Sequence, residues 1–269
     1  MNPSSTTCSI LIATYNWPEA LELCIRSIWK QSVLPIEIIV CDDGSGNATI
    51  ECLQRLQKES PVPIKHVWQE DNGYQAGRII NKGAALAKGE YFIQTDADMI
   101  LHKHFIKDHL EHATENVFYC GNRYYLNEAI TRQLLDTKQT EVPVMLKFSK
   151  NMWRRWRVSF LQKIMVRMYR IKNMHTYVTS CNMAYWKKDF VTVNGYDESF
   201  TGWGFEDTEL ALRMMNKGVH LRFIRLGAIA YHLHHDIASR HNVNVNYSKA
   251  LKTYETKRVQ CENGVNQYL

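Results

Sequence analysis

No apolar run in this chain approaches the roughly 18 residues that a membrane span needs. Its opening, Met1 to Thr7, has neither a basic region nor a long apolar stretch. These absences argue against a spanning helix and a secretory leader, so the expected protein is soluble and cytoplasmic, able at most to rest on the inner face of a membrane. No Cys-x-x-Cys pair occurs, and seven cysteines are an odd number. That pattern makes no disulfide framework and fits buried thiols in a reducing compartment. Acid is missing from one long stretch: Lys147 to Lys172 holds nine Lys and Arg and no Asp or Glu. Those nine exceed the net charge of +6, which leaves the rest of the chain net acidic. An anionic partner would meet that segment first. Nucleic acid would ask for more basic surface elsewhere, and none is expected as a partner.

What is present suits a folded core: 269 residues, 45% hydrophobic and 22% charged, enough for one domain or a domain with an appendage. Cys8 to Ala13 is a short apolar run of the kind a doubly covered parallel strand needs. Thr14 to Pro18 then turns into a helix, with the proline early, where its missing amide costs nothing. A second strand over Ile36 to Cys41, a helix over Thr49 to Lys58 and a third strand over Ile64 to Trp68 follow. Gly73 to Arg78 opens a helix that ends at Gly89, and an apolar strand runs into Asp96. Strands alternating with helices imply right-handed parallel βαβ units, hence an α/β fold whose strand carboxyl ends share one rim. Val117 to Cys120 and Val178 to Tyr185 read as further strands. Met152 to Lys172 reads as a basic amphipathic helix with Trp153, Trp156, Phe160, Ile164 and Met168 near one face. Such a helix can lie on anionic lipid or pack on its own domain with its cation stems snorkelling.

The chemistry begins at Asp96-Ala97-Asp98. Residues two apart on a strand project on one side, so both carboxylates face what lies beyond the strand end, the ligand end of an open α/β sheet. Their repulsion and desolvation are offset by a hard divalent cation or by sugar hydroxyls. Taken alone, Asp-x-Asp is unspecific. Asp42-Asp43, however, ends another strand on the same expected rim, and Arg78 lies near a helix start. There a phosphate meets a guanidinium and the positive end of the dipole, which favours a nucleotide-diphosphate donor over a free sugar. A third acidic site, Glu206-Asp207, follows the Gly/Trp loop Gly202 to Phe205. By itself it reads first as helix capping.

In series, Ile10 to Asn16, Asp42-Asp43-Gly44-Ser45, Asp96-Ala97-Asp98 and Trp203-Gly204-Phe205-Glu206-Asp207 resemble the family 2 glycosyltransferases. The likeness is to the branch that shares a Trp-Gly-x-Glu-Asp motif with chondroitin-polymerase modules and β-1,4-galactosyltransferases, and it covers about residues 8 to 236. It implies the GT-A fold: one mostly parallel sheet flanked by helices across 1–269. In that fold about 1–110 is the nucleotide-binding half, about 111–236 the acceptor and catalytic half with a basic insertion at 147–172, and 237–269 a tail. It further implies that Thr14, Asp42, Asp43, Arg78, Asp96 and Trp203 serve a UDP-sugar donor, with Asp42 accepting the uracil N–H. Asp98 and His232 become metal ligands, with His234 in reserve, while Asp207 becomes the general base and Glu206 its companion. An imidazole beside carboxylates favours Mn²⁺ over Mg²⁺. The implied reaction is inverting transfer of a hexose or N-acetylhexosamine, galactose-type favoured, to a saccharide or lipid-linked saccharide, as in bacterial capsule or lipopolysaccharide assembly. The Gln-x-x-Arg-Trp signature of processive synthases is absent, so one sugar per encounter is expected. Two readings compete. A sugar-nucleotide nucleotidyltransferase would want a glycine-rich loop with Arg or Lys after the first strand, and Ala13 to Trp17 offers neither. A non-catalytic sugar-binding module would need no nucleotide pocket.

Overall fold

A computed structural model describes residues 6–142, 157–168, 178–236 and 241–269. Strand β1 (Cys8–Thr14), helix α1 (Pro18–Trp29), β2 (Glu37–Asp42), α2 (Asn47–Glu59), β3 (Ile64–Trp68), α3 (Ala76–Leu86) and β4 (Tyr91–Asp96) alternate as expected. Beyond them come β5 (Met99–Leu101), α4 (Phe105–His112), β6 (Val117–Cys120), β7 (Asn122–Tyr125), α5 (Glu128–Thr137) and α6 (Ser159–Met168). The chain continues with β8 (Asn182–Trp186), α7 (Lys187–Thr192), α8 (Glu206–Asn216), β9 (His220–Phe223), β10 (Ile229–His232) and α9 (Val243–Thr256).

Seven strands form the main sheet in the order β3-β2-β1-β4-β8-β6-β9. Its first four strands are parallel, whereas β8 runs antiparallel to both β4 and β6. The apolar runs of β1 and β2 are buried along nearly their whole length because helices cover both faces of a parallel sheet. Register then makes a common rim: Thr14 pairs with Asp42 and Ala13 with Asp96. A smaller sheet, β5-β10-β7, leans against that rim. In it β10 is antiparallel to β5, with His232 opposite Met99, and the Leu233 N–H donates to the Asp98 carbonyl at 2.9 Å. This pairing carries His232 back to a residue 134 positions earlier in the chain.

Some expectations shift. The strand read over 178–185 begins only at Asn182, because Ser180 and Cys181 turn into it. The polar stretch after Cys120 folds as β7 and α5. Of the basic segment, Trp153, Trp156, Arg154, Arg155 and the stretch beyond Met168 lie outside the described residues. In α6 the inward face is Gln162 and Val166. Phe160 and Ile164 are 70% and 52% exposed, so of the residues read near one face these two do not pack on the domain. Arg157 is no free surface cation either, since it pairs with buried Asp108 at 2.8 Å. Among the described residues no helix is long and apolar enough to cross a membrane.

Candidate functional site

The rim opens on a cavity of about 1150 Å³. It draws lining from β1, the loop before α3, β4, β7, the 203–206 loop and the end of β10. Three titratable groups meet at its mouth. Asp98 Oδ2 lies 3.0 Å from His235 Nε2 and 3.4 Å from His232 Nε2, and the two imidazoles stack with centroids 4.9 Å apart. One ligand atom from each residue falls within 4.8 Å of the others. The Nδ1 atoms face carbonyls, His232 to Leu233 O and His235 to Asp236 O, both at 2.6 Å. A carbonyl can only accept, so each Nδ1 carries hydrogen, and in a neutral ring Nε2 is the atom left to bind a cation. Asp98 Oδ1 is buried without a hydrogen-bond partner. Lone pairs gathered in this way repel one another unless a cation sits among them, and two nitrogens with carboxylate oxygen are a donor set that a divalent transition metal accepts. The residues therefore fit a metal. Burial lowers the His232 pKa and keeps that ring neutral, whereas the hydrogen bond to Asp98 raises that of His235. His234, the expected reserve, is not in the cluster: its backbone N–H donates to Thr131 Oγ1 at 2.8 Å, and its side chain is exposed.

Asp96 sits one step further in. Burial first, then Asp98, push its pKa well above the carboxylate range, with Arg123 acting the other way. Arg123, on β7, lines the cavity and stacks over Tyr125 with its guanidinium 4.9 Å from the ring centroid. Arg78, expected at the diphosphate, is not among the lining residues. Its side chain is held by Glu198 at 3.7 Å and Gln75 at 3.3 Å, so Arg123 is the cation that this cavity has among the described residues.

The second acidic pair also changes order. Asp42 is fully buried, accepting from Ser45 N at 2.8 Å and facing His66 Nε2 at 2.9 Å. Its neighbour Asp43 lines the cavity and accepts from Gln69 Nε2 and the Gln75 N–H, both at 2.7 Å. Asp43, not Asp42, is thus the carboxylate of the pair that borders the cavity. Thr14 lines the same end, its Oγ1 buried and without a partner.

Helix α8 also reaches the cavity. The loop before it passes through Gly202, Gly204 and Phe205 at φ of +73°, +114° and +69°, a left-handed run that glycine tolerates and that Phe205 adopts at a steric cost. This run aims the first helical turn at the cavity. Glu206 lines it and accepts from Tyr74 Oη at 2.9 Å and Gly204 N at 2.8 Å. Burial and the adjacent Asp207 raise the Glu206 pKa to about 7. Asp207 is not among the lining residues but sits half-buried beside them. It accepts from Ser180 N at 3.1 Å and Thr208 N at 2.6 Å. Burial raises its pKa while those hydrogen bonds oppose the shift. Trp203 lines the cavity edge. Asp96, Asp98, Glu206 and His232 thus share one cavity, with Asp207 at its margin. Arg123, His235, Tyr74 and Gln94 are lining residues that sequence reasoning missed. Only His235, in a run of histidines after a strand, carried a local signal.

Comparisons with known proteins bear on the family and the fold. A family model described as glycosyl transferase family 2 matches residues 9–187, and one for the N-terminal domain of galactosyltransferase matches 163–236. Chondroitin synthase of Escherichia coli is 30% identical over 239 residues, 83% of this chain but 34% of that protein. Validoxylamine A glucosyltransferase of Streptomyces hygroscopicus subsp. limoneus is 27% identical over 229 residues, 81% of this chain and 49% of that protein. The chain thus spans about a third to a half of these relatives' length. The solved structure of GalNAc-T7 with UDP, GalNAc and Mn²⁺ superposes with a TM-score of 0.66 at 17% identity, covering 92% of this chain and 48% of that one, a likeness of fold. With well over half its length matched by one family model, the chain belongs to the family 2 glycosyltransferases, on a mostly parallel α/β fold.

Proposed function

We propose that this protein is a metal-dependent, inverting glycosyltransferase that moves a hexose or N-acetylhexosamine, galactose-type favoured, from a UDP-sugar to a saccharide acceptor. The observation that carries this reading is one cavity holding two arrays. Asp98, His232 and His235 bring three ligand atoms together, and Glu206 with Asp207 forms a carboxylate pair that makes no ion pair among the described residues.

A divalent ion held by Asp98, His232 and His235 would supply Lewis-acid stabilisation of the charge that develops on a departing diphosphate. Mn²⁺ suits the two imidazoles better than an all-oxygen Mg²⁺ site. Asp43 and Thr14 hold the nucleoside end, and Arg123 adds positive charge beside Asp96. Asp207, whose ionised form is favoured by the Ser180 and Thr208 hydrogen bonds, takes the acceptor hydroxyl's proton as that oxygen attacks the anomeric carbon. Glu206 faces sugar hydroxyls from the same turn. A single displacement inverts the anomeric centre.

Domain use follows: residues about 1–110 bind the nucleotide, about 111–236 supply metal ligands, base and acceptor contacts, and 237–269 form a tail. Bacterial surface polysaccharide assembly, with a lipid-linked acceptor approached through 147–172, is the setting we favour. The exposed Phe160 and Ile164 of α6 beside that cationic stretch support it. The test is a panel of UDP-hexoses with and without Mn²⁺, read as UDP release and product linkage. Mn²⁺-dependent turnover with a β-linked product from an α-linked donor is expected. UDP binding without turnover for any donor and acceptor would leave a binding module instead.

A further inference from the structure

Gln94 lies two residues before Asp96 on β4 and, like it, lines the cavity. It is 2% exposed. Its Oε1 accepts from Tyr185 Oη at 2.8 Å and from Tyr196 Oη at 3.1 Å, and both phenols are buried. Tyr196 is itself fixed, its N–H donating to Asn81 Oδ1 at 2.8 Å and its carbonyl accepting from Asn81 Nδ2 at 2.9 Å. The amide has one stable orientation here. Turned over, it would donate to both phenolic oxygens and leave both phenolic hydrogens buried without an acceptor. Held as it is, the carboxamide oxygen is used up by the protein. Its Nε2 has no protein partner among the described residues, and the cavity is what Gln94 borders.

A donor pair of hydrogens therefore stands next to the Asp96 carboxylate, on the same face of one strand. A hydroxyl is the group that satisfies both neighbours at once, accepting from the amide and donating to the carboxylate. We infer that Gln94 is a specificity-determining residue that reads a ring hydroxyl of the transferred hexose, preset by Tyr185 and Tyr196. This rests on the UDP-sugar reading above. The location supports the sugar over the nucleotide: Glu206 and Tyr196 line the cavity with Gln94, and the metal cluster lies further out along the chain from Asp96. Because the amide is oriented before any ligand arrives, its hydrogen bond costs little reorganisation, as a preorganised site requires.

The experiment compares UDP and four UDP-hexoses (galactose, glucose and their N-acetylamino forms) by calorimetric binding in Mn²⁺ and by UDP release. Gln94→Met removes the amide at nearly constant volume. Because that variant strands two phenols, a second, Gln94→Met with Tyr185→Phe and Tyr196→Phe, removes the whole polar group together. Tyr185→Phe with Tyr196→Phe alone frees the amide to turn. Expected are unchanged UDP affinity in all folded variants and a loss of roughly 10- to 100-fold in kcat/KM for the preferred donor on losing the amide. The preference between 4-epimers or between hydroxyl and acetamido donors should narrow as well, with a smaller narrowing in the double Phe variant. An equal loss for UDP and UDP-hexoses, or donor selection indifferent to Gln94 while UDP still binds, overturns this inference alone. No UDP binding by the unaltered protein overturns the donor reading and this inference with it.

Discussion

Helix α8 carries two acidic sites one turn apart, and they are treated in opposite ways. Glu209 and Arg213 are both fully buried and paired at 2.8 Å. Arg258 adds a second guanidinium at 2.7 Å and Thr253 a hydroxyl at 2.9 Å. Every charge there has its counter-charge. At the preceding turn Glu206 has only neutral donors, Tyr74 and Gly204, and a carboxylate as its neighbour. Buried charge that is compensated holds a fold together; buried charge left uncompensated stores a titration near neutrality that chemistry can use. The Asp98 cluster lines the same cavity.

The sharpest way to break this contrast is to neutralise each turn separately. Asp207→Asn should lower kcat by about 10³-fold, the scale of general-base loss, with UDP affinity and melting temperature unchanged. A kcat within tenfold of the original would place the base elsewhere. Arg213→Met should do the reverse, costing on the order of 3 kcal/mol in urea unfolding because it removes one partner from a buried pair. At temperatures where the variant stays folded, its kcat should change far less.

At the Asp98 cluster, His235→Ala should weaken Mn²⁺ binding by at least about tenfold, measured by titration against a fluorescent chelator, whereas His234→Ala should leave it unaltered. Equal effects would mean that the cluster read from Asp98 is not the ligand set. Likewise Arg123→Ala should weaken UDP binding by about tenfold, as loss of a charge-assisted phosphate contact does, and Arg78→Ala should not.

The smallest effect concerns pH. The Glu206 pKa is raised from 4.5 to about 7, so between these values the folded protein keeps a proton that the unfolded chain has lost. Stability therefore falls as pH rises through that window. Glu206→Gln, which can still accept from Gly204 and meet Tyr74, escapes that loss. Its melting temperature relative to the original should climb from pH 4.5 to 7 and level off above; a constant difference would show that Glu206 titrates normally.

Legibility differed between the halves of the chain. Strands β1, β2 and β4 were readable to within a residue or so because each is a short, largely apolar run closed by a turn signal and buried along nearly its whole length, whereas the half-buried edge strand β3 was marked by its flanking turns. The same signal located Asp43, Asp96 and Asp98 on one rim. It could not tell Asp42 from Asp43. Adjacent strand-end residues face opposite ways, and which one turned inward depended on His66 from the neighbouring strand β3. Arg78 looked right because a helix start suits phosphate, yet Glu198, 120 positions later, holds it. His234 was the natural alternative to His232 if the strand continued. The strand stops at His232, alternation ends with it, and His235 swings to Asp98 instead.

Periodicity and turn chemistry in the sequence determined the alternating elements, the parallel half-sheet and the acidic character of its rim, since these depend on neighbours a few residues apart. Tertiary packing decided which acid faces the cavity, which histidine joins Asp98 and which guanidinium serves the site. The smaller sheet set β10 against β5, and the left-handed loop aimed α8. Such choices are made between residues from 24 positions apart, as for Asp42 and His66, to well over a hundred, as for Asp98 and His235, where no local pattern records the partner.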